Sequence, residues 1–145
     1  HSLAPGTGDP AGFVIDDCTT QRNLNEQGRA QAAGWHSLLA AHTSSAVAVY
    51  SSPWCRCVET ANLINLGPVT TLDFLGSFFA GRGDAEQYTA DTRQWLNQLP
   101  PGKPIVVVTH QVNITALTGI YPRSNEGILV ALPITNRAEV LARLH

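Results

Sequence analysis

The run Ile105-Val106-Val107-Val108 constrains this chain more than any other segment. Four consecutive β-branched residues disfavour a helix and read as a strand buried on both faces, as in the middle of a parallel sheet. Pro100-Pro101-Gly102 precedes the run and a helical pattern follows it, so its bounds are sharp. Ala46 to Tyr50 is a second apolar run between polar neighbours, and Pro68 to Phe74 reads as a third strand. Helical patterns separate them. The first runs from Asn25, its cap, to Ala41, with Gly28, Ala32, Trp35 and Leu39 on one face. A second starts with Ser52 as cap and Pro53 at the first helical position, and lasts to about Leu63. Asp84 and Gln87 form a capping box for a third, which ends near Leu99 and buries Tyr88, Thr92, Trp95 and Leu99. A short helix from Val112 to Thr118 stops at Gly119, and Gly127–Leu132 with Glu139–Leu144 reads as a closing hairpin.

Strands alternating with helices predict a single α/β domain over residues 1–145, a three-layer sandwich with a largely parallel central sheet flanked by helices. Ligands of such sheets bind beyond the carboxyl ends of the strands. Two of those ends carry suggestive chemistry: Tyr50 leads through Ser51-Ser52-Pro53 to Arg56, and Val108 leads through Thr109 to His110.

Composition narrows the classes. A formal net charge of -2, with the cations scattered, argues against a nucleic-acid partner. No apolar stretch approaches the roughly 20 residues of a membrane span. Methionine is absent, so the chain is not expected to begin at a translation start. The three cysteines, Cys18, Cys55 and Cys57, read as small buried thiols; in an oxidising compartment Cys18 could instead pair with one of the other two.

Arg56 falls in the first turn of its helix, where free N–H groups and the helix dipole favour an anion and its guanidinium can hold two phosphate oxygens. Glu59 and Thr60 stand one turn on, placed to hold it. His110 leaves a rigid strand directly into a helix, and Gln111 and Asn113 begin that helix. Alone, each of these residues has an ordinary structural reading: a solvated arginine, a packed histidine, a capping amide.

Together they carry a pattern. Leu24-Asn25-Glu26-Gln27-Gly28-Arg29-Ala30-Gln31-Ala32, the segment Ser51-Ser52-Pro53-Trp54-Cys55-Arg56-Cys57-Val58-Glu59-Thr60-Ala61, and Val106-Val107-Val108-Thr109-His110 occur in this order. The chain thereby resembles the histidine phosphatase superfamily, in the branch related to phosphoglycerate mutases. That family opens on Arg-His-Gly at the end of its first strand, so the resemblance makes His1 the nucleophile, with the preceding Arg and the first strand expected upstream. It implies a phosphatase for a phosphate monoester or phosphohistidine that works through a covalent phosphohistidine, without metal or other cofactor. Arg56 and His110 would hold the phosphoryl group, assisted by Gln111 and Glu59. His36, His42 and His145 are assigned to surface or packing.

Two departures stand out. The family's first-strand Arg is absent from the chain, and Leu75-Gly76-Ser77 stands where many relatives place Leu-x-Glu, whose Glu protonates the leaving group. Asp73 is the leading replacement acid, just ahead of Asp9, with Asp84 and Glu86 behind. A phosphate-binding module that has lost catalysis is the alternative. An open pocket suits a phosphate on a large or exposed carrier, such as a phosphoprotein or a glycolipid. Phe78-Phe79 reads as core, with a place at the pocket mouth as the other option. Low lysine content, the possible cysteine pairing and exported members of the family lean toward an exported protein, with the cytoplasm as alternative.

Overall fold

The structure, a computed structural model, describes residues 1–43 and 46–145. Its centre is a parallel three-stranded sheet of order β2-β1-β3, where β1 is Ala48–Ser51, β2 is Val69–Thr71 and β3 is Ile105–Val108. Four helices flank it: α1 (Glu26–Ala40), α2 (Cys55–Ile64), α3 (Ala85–Gln98) and α4 (Gln111–Thr118). The closing pair, β4 (Gly127–Ala131) and β5 (Glu139–Leu144), is antiparallel and forms a separate two-stranded sheet. Among the described residues no helix is long and apolar enough to cross a membrane.

Period-two alternation along β3 builds the layers. Val106 and Val108 face a core with Val49, Cys57, Ala61 and Ile64, closed by Trp35 and Leu39 of α1. Ile105 and Val107 face the other way, onto Leu96, Ile134 and Ala138. Tyr50 of β1 joins that second side through an edge-on contact with Trp95, ring centroids 4.7 Å apart. Helices α1 and α2 therefore cover one face and α3 the other. The three-layer α/β arrangement follows.

Local chemistry explains most element ends. Asn25 caps α1 by accepting from Gly28 N at 2.8 Å, and Gly119, at φ 77°, closes α4. Asp84 caps α3 through Gln87 N at 3.0 Å, but the return half of the box is not made, because Gln87 Nε2 donates forward to Asp91 instead. The buried face of α3 centres on Thr92 and Leu96, with Tyr88, Trp95 and Leu99 half-buried beside them. Helix α2 starts later than its sequence suggests: Trp54, not Ser52, is the residue before it. Ser52 Oγ accepts from Trp54 N at 3.2 Å and turns toward His110, so its hydroxyl serves the site. Strand β2 is short because Leu72 N donates to Ser51 O and the chain then enters a 3-10 turn, Asp73–Leu75.

The cysteines correct the buried-thiol reading. Cys18 and Cys55 form a disulfide, and only Cys57 is a buried free thiol. The bridge ties the long first loop to the first residue of α2. Phe79 is also not core: it is 43% exposed and lines the cavity described next.

Candidate active site

A cavity of about 510 Å3 opens at the carboxyl ends of β1 and β3, as parallel-sheet topology dictates. Its floor holds His1, Arg56 and His110, three of the residues singled out by the sequence. The register explains the meeting. Ser51 pairs with Val108, so Ser52 and Thr109 leave their strands side by side, and Ser52 N donates to Val108 O at 2.9 Å.

His1 is locked at both backbone ends. Its nitrogen donates to Thr109 O at 3.1 Å, and its carbonyl accepts from Asn125 N at 3.0 Å, which places it between the end of β3 and the turn before β4. The ring Nδ1 lies 2.8 Å from Ser2 O. A carbonyl only accepts, so the proton of the neutral ring sits on Nδ1. Nε2 then keeps its lone pair, and Arg56 Nε donates to it at 3.3 Å.

Arg56 is 2% exposed. Its Nη1 and Nη2 donate to the two oxygens of Asp9 at 2.9 and 3.3 Å, a bidentate pair whose side chains are 3% and 5% exposed. Asp9 also accepts from Arg22 N and from the Trp54 indole. Desolvation pushes its carboxyl up, but the Arg56 hydrogen bonds and charge outweigh it and hold the group below its ordinary pKa. His110 is 4% exposed, with Nε2 at 2.8 Å from Ser52 Oγ and 3.5 Å from Cys57 Sγ. Burial, then the Arg56 charge, sets its pKa well below the ordinary value, so it is neutral. Burial likewise raises Cys57, which stays a thiol.

Several expectations fare differently. Gln111 lies on the rim, its amide donating to Pro122 O at 2.9 Å. Glu59 does not face the cavity; it pairs outward with Arg29 at 3.8 Å. The spacing that puts Arg56 inward turns a residue three positions on partly outward. Thr60 is the one that serves the site, donating to Arg56 O at 2.8 Å and accepting from Ser2 N at 3.1 Å. Asp73 is exposed at the start of its 3-10 turn, and Asp84 and Glu86 lie at the exposed start of α3, all three outside the cavity. The early end of β2 is the reason: the chain turns outward before Asp73 and returns at Ser77, which does line the wall. Asp9 is the carboxylate brought to Arg56.

Arg22 was not foreseen. It lines the cavity, with Nε donating to Gly8 O at 2.6 Å and Nη1 to Ala4 O. The long loop before it hides this, since nothing in its spacing shows where the chain folds back. Asn125 was also missed. Its Oδ1 accepts from Ser2 Oγ and from the Trp35 indole, at 2.8 and 2.7 Å, so it braces the His1–Ser2 segment against α1.

With this geometry in place, residues 18–93, just over half of the chain, match the model of the histidine phosphatase superfamily, branch 1. The chain belongs to that family. No curated protein matches it in sequence. Among solved structures it is similar to the protein histidine phosphatase SixA complexed with tungstate, at 18% identity and a TM-score of 0.64, covering 94% of this chain and 91% of that one. A mycobacterial glucosyl-3-phosphoglycerate phosphatase shares 15% identity with a TM-score of 0.61, covering 83% and 86%. The protein TTHB049 of Thermus thermophilus shares 19% with a TM-score of 0.60, covering 85% of each chain. These likenesses show the shared histidine phosphatase fold, and the matched residues include two of the three sequence segments, 24–32 and 51–61.

Proposed function

We propose that the protein is a phosphatase that hydrolyses a phosphate monoester or phosphohistidine through a phosphohistidine at His1. The observation that carries this reading is the His1 ring itself: Nδ1 bonded to Ser2 O and Nε2 turned to the Arg56 guanidinium. The structural relative SixA binds tungstate, a tetrahedral oxyanion, and is a histidine phosphatase, in line with this reading.

In the first step the Nε2 lone pair attacks phosphorus, the N–P bond forms and the bond to the leaving group breaks. Arg56, with Arg22 beside it, balances charge on the equatorial oxygens, and neutral His110 donates a hydrogen bond. The leaving group needs a proton, and Asp9 takes the place that Asp73 held in the sequence reading. Against Arg56, Asp9 is ionised. A phosphate that claims the Arg56 fork removes that stabilising partner and brings a dianion close, and both changes raise the carboxyl pKa. Asp9 can then carry the proton to the leaving atom. In the second step it takes a proton back from water, whose oxygen attacks phosphorus as the N–P bond breaks. Inorganic phosphate leaves and His1 is restored.

Ser77, in the wall where many relatives carry a glutamate, favours a second reading, a phosphate-binding module without turnover. An aryl phosphate assay on the full-length protein, with acid-labile phosphate followed on the protein and His1→Ala alongside, separates the two. Turnover and label, both lost in His1→Ala, are expected. Phosphate binding with neither turnover nor label would overturn the phosphatase reading.

A further inference from the structure

His110 is neutral at the floor of the cavity, because burial and then the Arg56 charge disfavour the imidazolium. A neutral imidazole carries one N–H, so only one of its two nitrogens can donate to a phosphoryl oxygen. Which one donates is set by what the other nitrogen meets. Nε2 lies 2.8 Å from Ser52 Oγ. Among the described residues Nδ1 meets no polar atom but Cys57 Sγ, at 4.0 Å. That sulfur is also 3.5 Å from Nε2, so it commits to neither nitrogen.

Counting hydrogens at Ser52 places the ring proton. Ser52 is 0% exposed, so its hydroxyl hydrogen needs an acceptor inside the protein. Its oxygen already accepts from Trp54 N at 3.2 Å, and among the described residues Nε2 is the one nitrogen or oxygen acceptor within its reach. The hydroxyl therefore donates to Nε2, and the proton of the ring sits on Nδ1. The reverse bond, from Nε2–H to the oxygen, would leave the hydroxyl hydrogen only the Cys57 sulfur, a weak acceptor. The two residues are also held in register: Ser52 N donates to Val108 O at 2.9 Å, two positions before His110. With Nε2 occupied, Nδ1 is the only polar atom the ring has left for the cavity it lines.

Resting on the phosphatase reading, we propose that Ser52 is a positioning residue: its hydroxyl holds His110 in the Nδ1–H form, and Nδ1–H is the hydrogen bond that the ring donates to the phosphoryl oxygens. Ser52 does not line the cavity, so it acts only through the ring. The opposite form would turn a nitrogen lone pair toward an oxyanion and replace attraction with repulsion. Fixing the donor before phosphate arrives means that no proton has to be rearranged as charge develops on those oxygens.

Nitrogen-15 NMR of the histidine side chains in the full-length protein reads the tautomer without substrate, with His110→Gln to assign the His110 signals. The native ring should show Nδ1 protonated and Nε2 bare; the Nε2–H form there would overturn the proposal. Added phenylphosphonate should shift the Nδ1–H signal, and no shift would remove its role as donor. Ser52→Ala should move the ring toward the Nε2–H form and lower kcat/KM on a nitrophenyl phosphate by about 10- to 100-fold, the worth of one hydrogen bond to a charged group. Ser52→Thr, which keeps the hydroxyl, should restore both. Ser52→Cys, close in size but a weaker donor, takes the place of Ser52→Ala if that variant does not fold. An Nδ1–H signal that persists without the hydroxyl, or an equal change in Cys57→Ala, would overturn the assignment to Ser52. Hydrolysis by the native protein reports on the enzyme reading alone. The Nδ1–H form without hydrolysis rejects the enzyme and keeps the Ser52–His110 donor, and hydrolysis with the Nε2–H form does the reverse.

Discussion

At the scale of single residues, the buried Asp9–Arg56 pair carries the sharpest consequences. As the proposed proton donor, Asp9 matters in proportion to how badly the leaving group needs a proton. Asp9→Asn should cut kcat/KM on an alkyl phosphate by about 100-fold and change hydrolysis of a nitrophenyl phosphate little, because a nitrophenolate departs unprotonated. A uniform loss on both substrates would assign Asp9 to positioning alone. The pair also bears on stability. The carboxyl pKa in the folded chain lies below its unfolded value, so Asp9 contributes stability above the unfolded pKa. That contribution disappears as pH falls through the folded value. Thermal unfolding from pH 7 down to about 3 should show Asp9→Asn less stable than the native protein at neutrality, with the gap closing in acid.

Elements are placed by contacts that the family pattern encodes without explaining. Gly28 lies where the segment after His1 crosses α1: a Cβ there would stand 2.0 Å from Leu3 O. Gln31, one turn on, accepts from Leu3 N at 3.1 Å. Gly28 and Gln31 therefore dock the segment after His1 onto the helix. Gly28→Ala should destabilise the protein by about 2–3 kcal/mol, read from the denaturant midpoint, since backbone rather than a movable side chain blocks the methyl group. Asn25→Ala, which removes only the cap bond to Gly28 N, should cost about 1 kcal/mol in the same measurement.

For the whole molecule, the first loop brings Asp9 and Arg22 to a site otherwise built on the sheet. Besides the bonds that Arg56 makes to Asp9 and to Arg22 O, the Cys18–Cys55 disulfide and the bond from Cys55 N to Gln21 Oε1 at 3.0 Å hold it to α2. The bridge spans 37 positions, and in the chain-entropy model a loop of that length contributes about 4 kcal/mol. Unfolding with and without reductant, beside Cys18→Ser/Cys55→Ser, measures it. An unchanged midpoint on reduction would show that the loop is held by its hydrogen bonds alone. Kinetics on the reduced protein should show a larger loss with alkyl than with nitrophenyl phosphates, because the freed loop carries the proposed acid.

The sequence alone determined the alternation of elements, because apolar periodicity and caps such as Asn25, Asp84 and Gly119 act within a few residues. It also named Arg56 and His110, which follow β1 and β3 and so meet where those strands pair in parallel, while His1 came from the family resemblance alone. Glu59 and Asp73 were misplaced for a common reason: one helical step, or one early strand end, decides whether a side chain faces in or out. Arg22, Asn125 and the choice of Asp9 depended on where a long loop closes, and its closure rests on contacts between residues far apart in the chain. Local propensity does not reach that far. Only tertiary packing selected the carboxylate that faces Arg56.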